Sequence, residues 1–164
     1  MANLTRPAEL RNCVMTLLHF KLESAVQMIS TAGLTPGLTG IAELVVGEQH
    51  TAPRIGSGRV RVLAIPVMIN LIEAAALAAV EHLLPPGHQS LGTHLDVTHV
   101  AATPVGMRVR AEAELTRIDG RVIAFRVAAW DELELIGEGR HERVVVNLER
   151  FDKRVQEKIA RSQG

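Results

Sequence analysis

The chain has 164 residues, 47% of them apolar, with Lys+Arg and Asp+Glu balanced at 18 each. This length favours one domain with one hydrophobic core. A formally neutral chain has no general field for nucleic acid or an anionic membrane, and four aromatic side chains (Phe20, Phe125, Phe151, Trp130) make no base-stacking platform.

Cys13 is the single cysteine, which excludes an intrachain disulfide and a cysteine zinc cluster and fits a reducing compartment. No apolar run reads as a transmembrane span. "CVMTLLHF" near the N-terminus is followed by Lys21 and Glu23 without a small-residue cleavage site. The expectation is a cytoplasmic protein without nucleic-acid or membrane partners.

In residues 1–30, Val14, Leu17, Leu18, Leu22, Ala25, Val26 and Ile29 form a helical stripe interrupted by Lys21, predicting an N-terminal helical extension. "TAGLTPGLTG" punctuates the chain. "IAELVVGEQH" predicts a first strand, and "TAPRIGSGRVRVLAIP" a loop that leads, with Pro66 in the first turn, into a helix over "VMINLIEAAALAAVEHLL". "PPGHQ" ends that helix. A strand follows at Ser90–Ala101. Met107, Val109, Ala111, Ala113 and Leu115 then alternate with charged residues, a strand with one wet face. Asp119–Gly120 signals a hairpin into "RVIAFRVAAW". "GRHERVVVNLERF" predicts a last strand. The main domain spans 31–151, and 152–164 is a charged tail, helical in period at most.

The order is strand, long apolar helix, then four antiparallel strands. A helix this apolar must be enclosed. A five-stranded antiparallel sheet curled around it gives an α+β hotdog fold. Such domains pair by joining sheets edge to edge, which predicts a homodimer, with a dimer of dimers open as a larger form.

Glu73 lies amid Leu71, Ile72, Ala74, Ala75 and Ala76, where a dry, unpaired carboxylate is costly. It belongs either to a narrow polar face with Asn70, Leu77 and Glu81, or to a cleft at a subunit boundary, where it is a candidate base. His99 comes 26 residues later. Strand alternation puts it with Leu95 and Val97, and puts His94 and Asp96 on the other face. It is either a satisfied core histidine or, beside a helix carboxylate, a catalytic group. Because His94 and His99 face opposite ways, no single metal site takes both, and no metal is expected. "GSGRVRV" lacks the spacing of a phosphate loop, and Arg59 and Arg61 suit either an anionic ligand or a solvated edge. There is no G-x-S-x-G elbow.

"AIPVMINLIEAAALA", "SLGTHLDVTHVAATPVGMRVRAEAEL" and "GEGRHERVVVNLERF" occur in an order that resembles the fluoroacetyl-CoA thioesterase-like branch of the hotdog thioesterases, over roughly Gly33 to Phe151. The resemblance implies hydrolysis of an acyl-CoA thioester without a cofactor. It implies catalytic roles for Glu73 and His99, and places Gly92 beside the acyl group, where backbone N–H groups meet the thioester carbonyl. The fluoroacetyl-specific member has a threonine eight residues before the helix glutamate. This chain has Ile65 there, which cannot hydrogen-bond, so Asn70, Thr93 or Thr98 are the candidate substitutes. It also has "SGRVRVL" in place of aromatic guards. Together these imply an acyl group other than fluoroacetyl. A non-catalytic acyl-CoA-binding protein and a hotdog dehydratase are the alternatives.

Overall fold

The computed structural model describes residues 31–163. The extension expected over 1–30 lies outside them, as does Cys13. β1 (Thr39–Val45) leads through a 3-10 turn, Glu48–His50, into the one-turn helix α1 (Ala52–Ile55). α2 (Ile65–Val80) carries Pro66 in its first turn and continues into a 3-10 turn, Glu81–Leu83. β2 (His88–His99), β3 (Arg108–Asp119), β4 (Val122–Trp130), β5 (Leu135–Asn147) and a helix, α3 (Leu148–Ser162), follow.

The five strands form one sheet in the order β1-β3-β4-β5-β2, antiparallel throughout. This is the expected hotdog arrangement. α2 packs chiefly on β1 and β3 and reaches β4 and β2. Its Met68, Leu71, Ile72, Ala75, Ala76, Ala79 and Val80 are buried together with Val109, Leu115, Ile123, Phe125 and Val127 of the sheet. On β3, Val109, Ala111, Ala113 and Leu115 face this core, while Arg110, Glu112 and Glu114 stay partly wet, as the alternation predicts.

Small side chains let helix and sheet approach closely. A Cβ added at Gly40 of β1 would overlap the Ala75 carbonyl oxygen, the Ala79 nitrogen and the Ala78 carbonyl carbon. The alanine-rich face of α2 therefore meets bare strand backbone.

Three sequence expectations are corrected. The last strand does not run to Phe151. It stops at Asn147, whose side chain accepts the Arg150 N–H at 3.1 Å and caps α3, so the charged tail is the continuation of a helix that begins at Leu148. The first strand ends at Val45, and Glu48–His50 turns instead, with the Gly47 N–H donating to His50 Nδ1 at 3.0 Å. Finally, Ile65–Leu83, at 19 residues, is long and apolar enough to cross a membrane by length and composition alone. In this fold it is the core helix held by the sheet.

Replacing Gly40 by Ala is expected to destabilise the fold by about 1–3 kcal/mol, because its methyl group meets backbone that cannot swing aside. Gly58→Ala, whose new Cβ would touch only the Ala52 side chain at 3.4 Å, is the control. Urea unfolding of the two variants measures the difference.

Candidate active site

β2 does not alternate evenly. Its register against β5 slips by one residue between Gly92 and His94, leaving Thr93 as a bulge. Below the bulge, Gly92 pairs with Arg143; above it, Leu95 pairs with His141 and His99 with Gly137. Opposed residues of an antiparallel pair share a face. Ser90, Gly92, Leu95, Val97 and His99 therefore all point toward the side that β5 lines with Gly137, His141, Arg143 and Val145. In an uninterrupted strand, Ser90 and Gly92 would have faced away from His99.

This inner face holds a polar cluster against α2. Glu73 reaches across from the helix, with Oε1 3.6 Å from Arg143 Nη1 and 3.9 Å from His141 Nε2. Its side chain is 39% exposed, whereas those of His141 and Arg143 are 0% and 5% exposed. Glu73 rests on Gly92, where a Cβ would overlap Oε1. Glycine is what lets the carboxylate reach the sheet.

The buried groups hold one another. His141 Nδ1–H donates to the His94 carbonyl at 2.9 Å, which leaves Nε2 to accept from Arg143 Nη1 at 3.1 Å. Arg143 Nε–H donates to Ser90 Oγ at 2.9 Å and Nη2 to the Ser90 carbonyl at 2.8 Å. The Ser90 hydroxyl donates in turn to Glu81 Oε2 at 2.8 Å. Burial pushes His141 below its ordinary pKa, partly opposed by the bond with His94 and the Glu73 charge. Burial also lowers Arg143, while Glu73 and Glu81 pull it back up. Arg143 stays a cation.

His99 is elsewhere. Seven residues along β2 from Gly92, it lies roughly 20 Å away at the usual strand rise. It is half-buried, and its Nε2 is buried without a hydrogen-bond partner. Burial lowers its pKa, against a raising hydrogen bond with the Ala101 backbone. Within one chain Glu73 and His99 are thus not brought together.

The remaining sequence candidates are spread out. Ile65 opens α2 and is exposed, roughly 12 Å before Glu73 along the helix axis. Asn70 is exposed on the same helix. Thr93, at the bulge, is exposed and donates its hydroxyl proton to the Glu142 carbonyl at 3.2 Å; Thr98 does the same to Glu138. His94 and Asp96 lie exposed on the outer face. Arg61 pairs with Glu48 at the surface. Among the described residues no group of three His, Cys, Asp or Glu side chains is placed to hold a metal.

Sequence reasoning missed His141, Arg143 and Ser90. "HERVVV" carried a signal, since strand alternation puts His141, Arg143 and Val145 on one face, two polar side chains beside an apolar one.

The family model described as "Fluoroacetyl-CoA-specific thioesterase" matches residues 46–149. A fluoroacetyl-CoA thioesterase of Streptantibioticus cattleyicolor is 45% identical over 97 residues, 59% of this chain and 70% of that protein. The solved structure of the fluoroacetyl-CoA thioesterase FlK superposes with a TM-score of 0.72 at 37% identity, covering 77% of this chain and 98% of that one. A thioesterase superfamily member from Thermus thermophilus gives 0.74 at 28% identity, covering 79% and 96%.

His99 and His141 both bind protons less readily folded than unfolded. The unfolded chain therefore holds more protons below the ordinary histidine value of 6.5, and stability that is full above that value falls as pH drops through it. The urea midpoint is expected to be lower at about pH 5.5 than at about pH 7.5, and His99→Gln to narrow the gap. A gap of the same size in that variant would remove His99 as a contributor.

Proposed function

This chain belongs to the fluoroacetyl-CoA-specific thioesterase family, and we propose that it hydrolyses acyl-CoA thioesters in a site shared between two copies, with Glu73 from one and His99 from the other. The observation that carries this reading is the separation, along one edge strand, of His99 from Gly92, on which Glu73 of α2 rests. β2 pairs with β5 on one side only among the described strands. If two copies join antiparallel along β2 about a two-fold axis midway between Gly92 and His99, each Gly92 comes opposite a His99 of the other copy. Glu73, resting on Gly92, then faces that imidazole. Such pairing also covers an edge strand and the exposed Val100 beside it.

In this site the thioester carbonyl lies near Gly92, against backbone N–H donors freed by the bulge at Thr93. Either Glu73 attacks the carbonyl carbon, or it takes a proton from an attacking water. When water attacks, its oxygen bonds to the carbonyl carbon, the C–S bond breaks, and the proton taken by Glu73 passes through His99 to the leaving CoA thiolate. When Glu73 attacks, the C–S bond breaks to give a mixed anhydride and CoA thiolate. Water then cleaves the anhydride, restoring the carboxylate while its proton passes through His99 to the thiolate. The imidazole, with one nitrogen free to accept and one to donate, can take a proton and then give it up. Ile65 supplies only apolar surface at the helix start, which favours an acyl group other than fluoroacetyl. A single cysteine, which allows no disulfide within the chain, supports a cytoplasmic location.

A panel of short- and medium-chain acyl-CoA esters, fluoroacetyl-CoA included, is expected to release free CoA for at least one member. Glu73→Gln and His99→Ala should each lose more than about 100-fold in kcat. A purified mixed dimer of these two variants retains one intact site of two and should recover about half the native turnover. No recovery in the mixed dimer, or a monomer by sedimentation, would discard the shared site; full activity in both single variants would discard these residues.

A further inference from the structure

The cluster behind Glu73 contains one more carboxylate than its cation needs. Arg143 offers five N–H donors. Nε–H goes to Ser90 Oγ, one Nη2 proton to the Ser90 carbonyl and one Nη1 proton to His141 Nε2. Nη1 is also the atom nearest Glu73 Oε1, at 3.6 Å, outside hydrogen-bond range. On the opposite side Glu81 is tied firmly. Its Oε2 accepts the Ser90 hydroxyl proton at 2.8 Å and its Oε1 the Ser90 N–H at 3.2 Å. Ser90 Oγ thus accepts from the guanidinium and donates to Glu81, which commits its proton and couples the two charges through one oxygen.

The titratable groups facing Arg143 are Glu73 from α2, Glu81 from the turn that follows it, and His141 from β5; β2 contributes Ser90. His141 is uncharged, since Nδ1 donates to a carbonyl and Nε2 accepts from the guanidinium. The charge around Arg143 is therefore two carboxylates to one cation. A guanidinium this buried must keep a counter-ion at every stage of a reaction. Whether Glu73 attacks or acts as base, its own negative charge is consumed in the step.

We infer that Glu81, acting through Ser90, is the standing counter-ion of Arg143, and that this leaves Glu73 free to change its charge during turnover. Glu81 and Ser90 are positioning residues, since neither reaches the Gly92 surface where Glu73 rests. The inference rests on the reading of Glu73 as the reacting carboxylate. Without Glu81, Arg143 has Glu73 as its only counter-ion. The pair tightens, and Glu73 becomes slower to react.

The test is Glu81→Gln in the full-length protein. Expected is a kcat loss of about tenfold or more with KM within about twofold. Ser90→Ala should behave likewise, and Ser90→Thr, which keeps the hydroxyl, should recover most of the loss. A native kcat in Glu81→Gln overturns the inference, as does a loss of activity accompanied by a lower melting temperature and not recovered by Ser90→Thr in the parallel variant. A second readout needs no substrate. The Arg143 Nε–H resonance, followed by NMR against pH, should respond to two carboxylates in the native protein and to one in Glu81→Gln. If that response is seen while no acyl-CoA is hydrolysed, the counter-ion stands and the proposed function fails. If the resonance titrates identically in both proteins, the counter-ion is wrong whatever the activity.

Discussion

An apolar helix enclosed by one curled sheet leaves little room for charge, and the structure turns on how it admits one carboxylate. α2 presses so closely on β1 that Gly40 cannot carry a side chain. At the other side of the helix, Glu73 points at the sheet and finds a guanidinium. The pair is tolerable because Gly92 vacates the space between them and because Glu73 remains partly open to solvent. Arg143, the more deeply buried partner, is anchored to Ser90 and His141 rather than to Glu73. The division is chemically useful. The cation is held rigidly, while the carboxylate above it sits near enough to feel the field without being bound by it.

The bulge at Thr93 is the second determinant. One extra residue in β2 rotates the strand by one side-chain position, so that the Ser90–Gly92 half and the Leu95–His99 half present to the same face. It also takes Thr93 out of that face and fastens its hydroxyl to the Glu142 carbonyl. The strand thus carries Glu73 over its Gly92 end and His99 at the other, too far apart to meet within one chain, and among the described strands its outer edge has no partner.

Much of this was legible in the sequence. β3 could be read residue by residue, because one face is core and the other wet. The alanine- and leucine-rich run could only be an enclosed helix, and Glu73 stood out within it as a carboxylate among aliphatic neighbours. The hairpin at Asp119–Gly120 forms where those residues place it. Other features were not legible. The end of β5 was overrun because "VVVNLERF" continues an apolar pattern into α3, and only the Asn147 cap marks the change. His141 and Arg143 look like ordinary strand decoration until burial shows that neither has water. Glu81 reads as part of a narrow polar face of the helix with Asn70 and Leu77, yet its carboxylate turns back onto Ser90.

The sequence by itself determined the element order, the enclosed helix, the identity of Glu73 as a charge needing an explanation and, through resemblance, the family. These are local or composition-driven properties, set by periodicity and by the cost of exposing apolar surface. Only the tertiary structure decided which groups meet Glu73. That depends on a one-residue register slip in β2, on the absence of a Cβ at Gly92, and on the pairing of β2 with β5 across some fifty residues of chain. No local pattern encodes such long-range pairing. It follows from how the sheet closes, and it makes His141 and Arg143 the immediate neighbours of Glu73 and places His99 at the far end of the same strand.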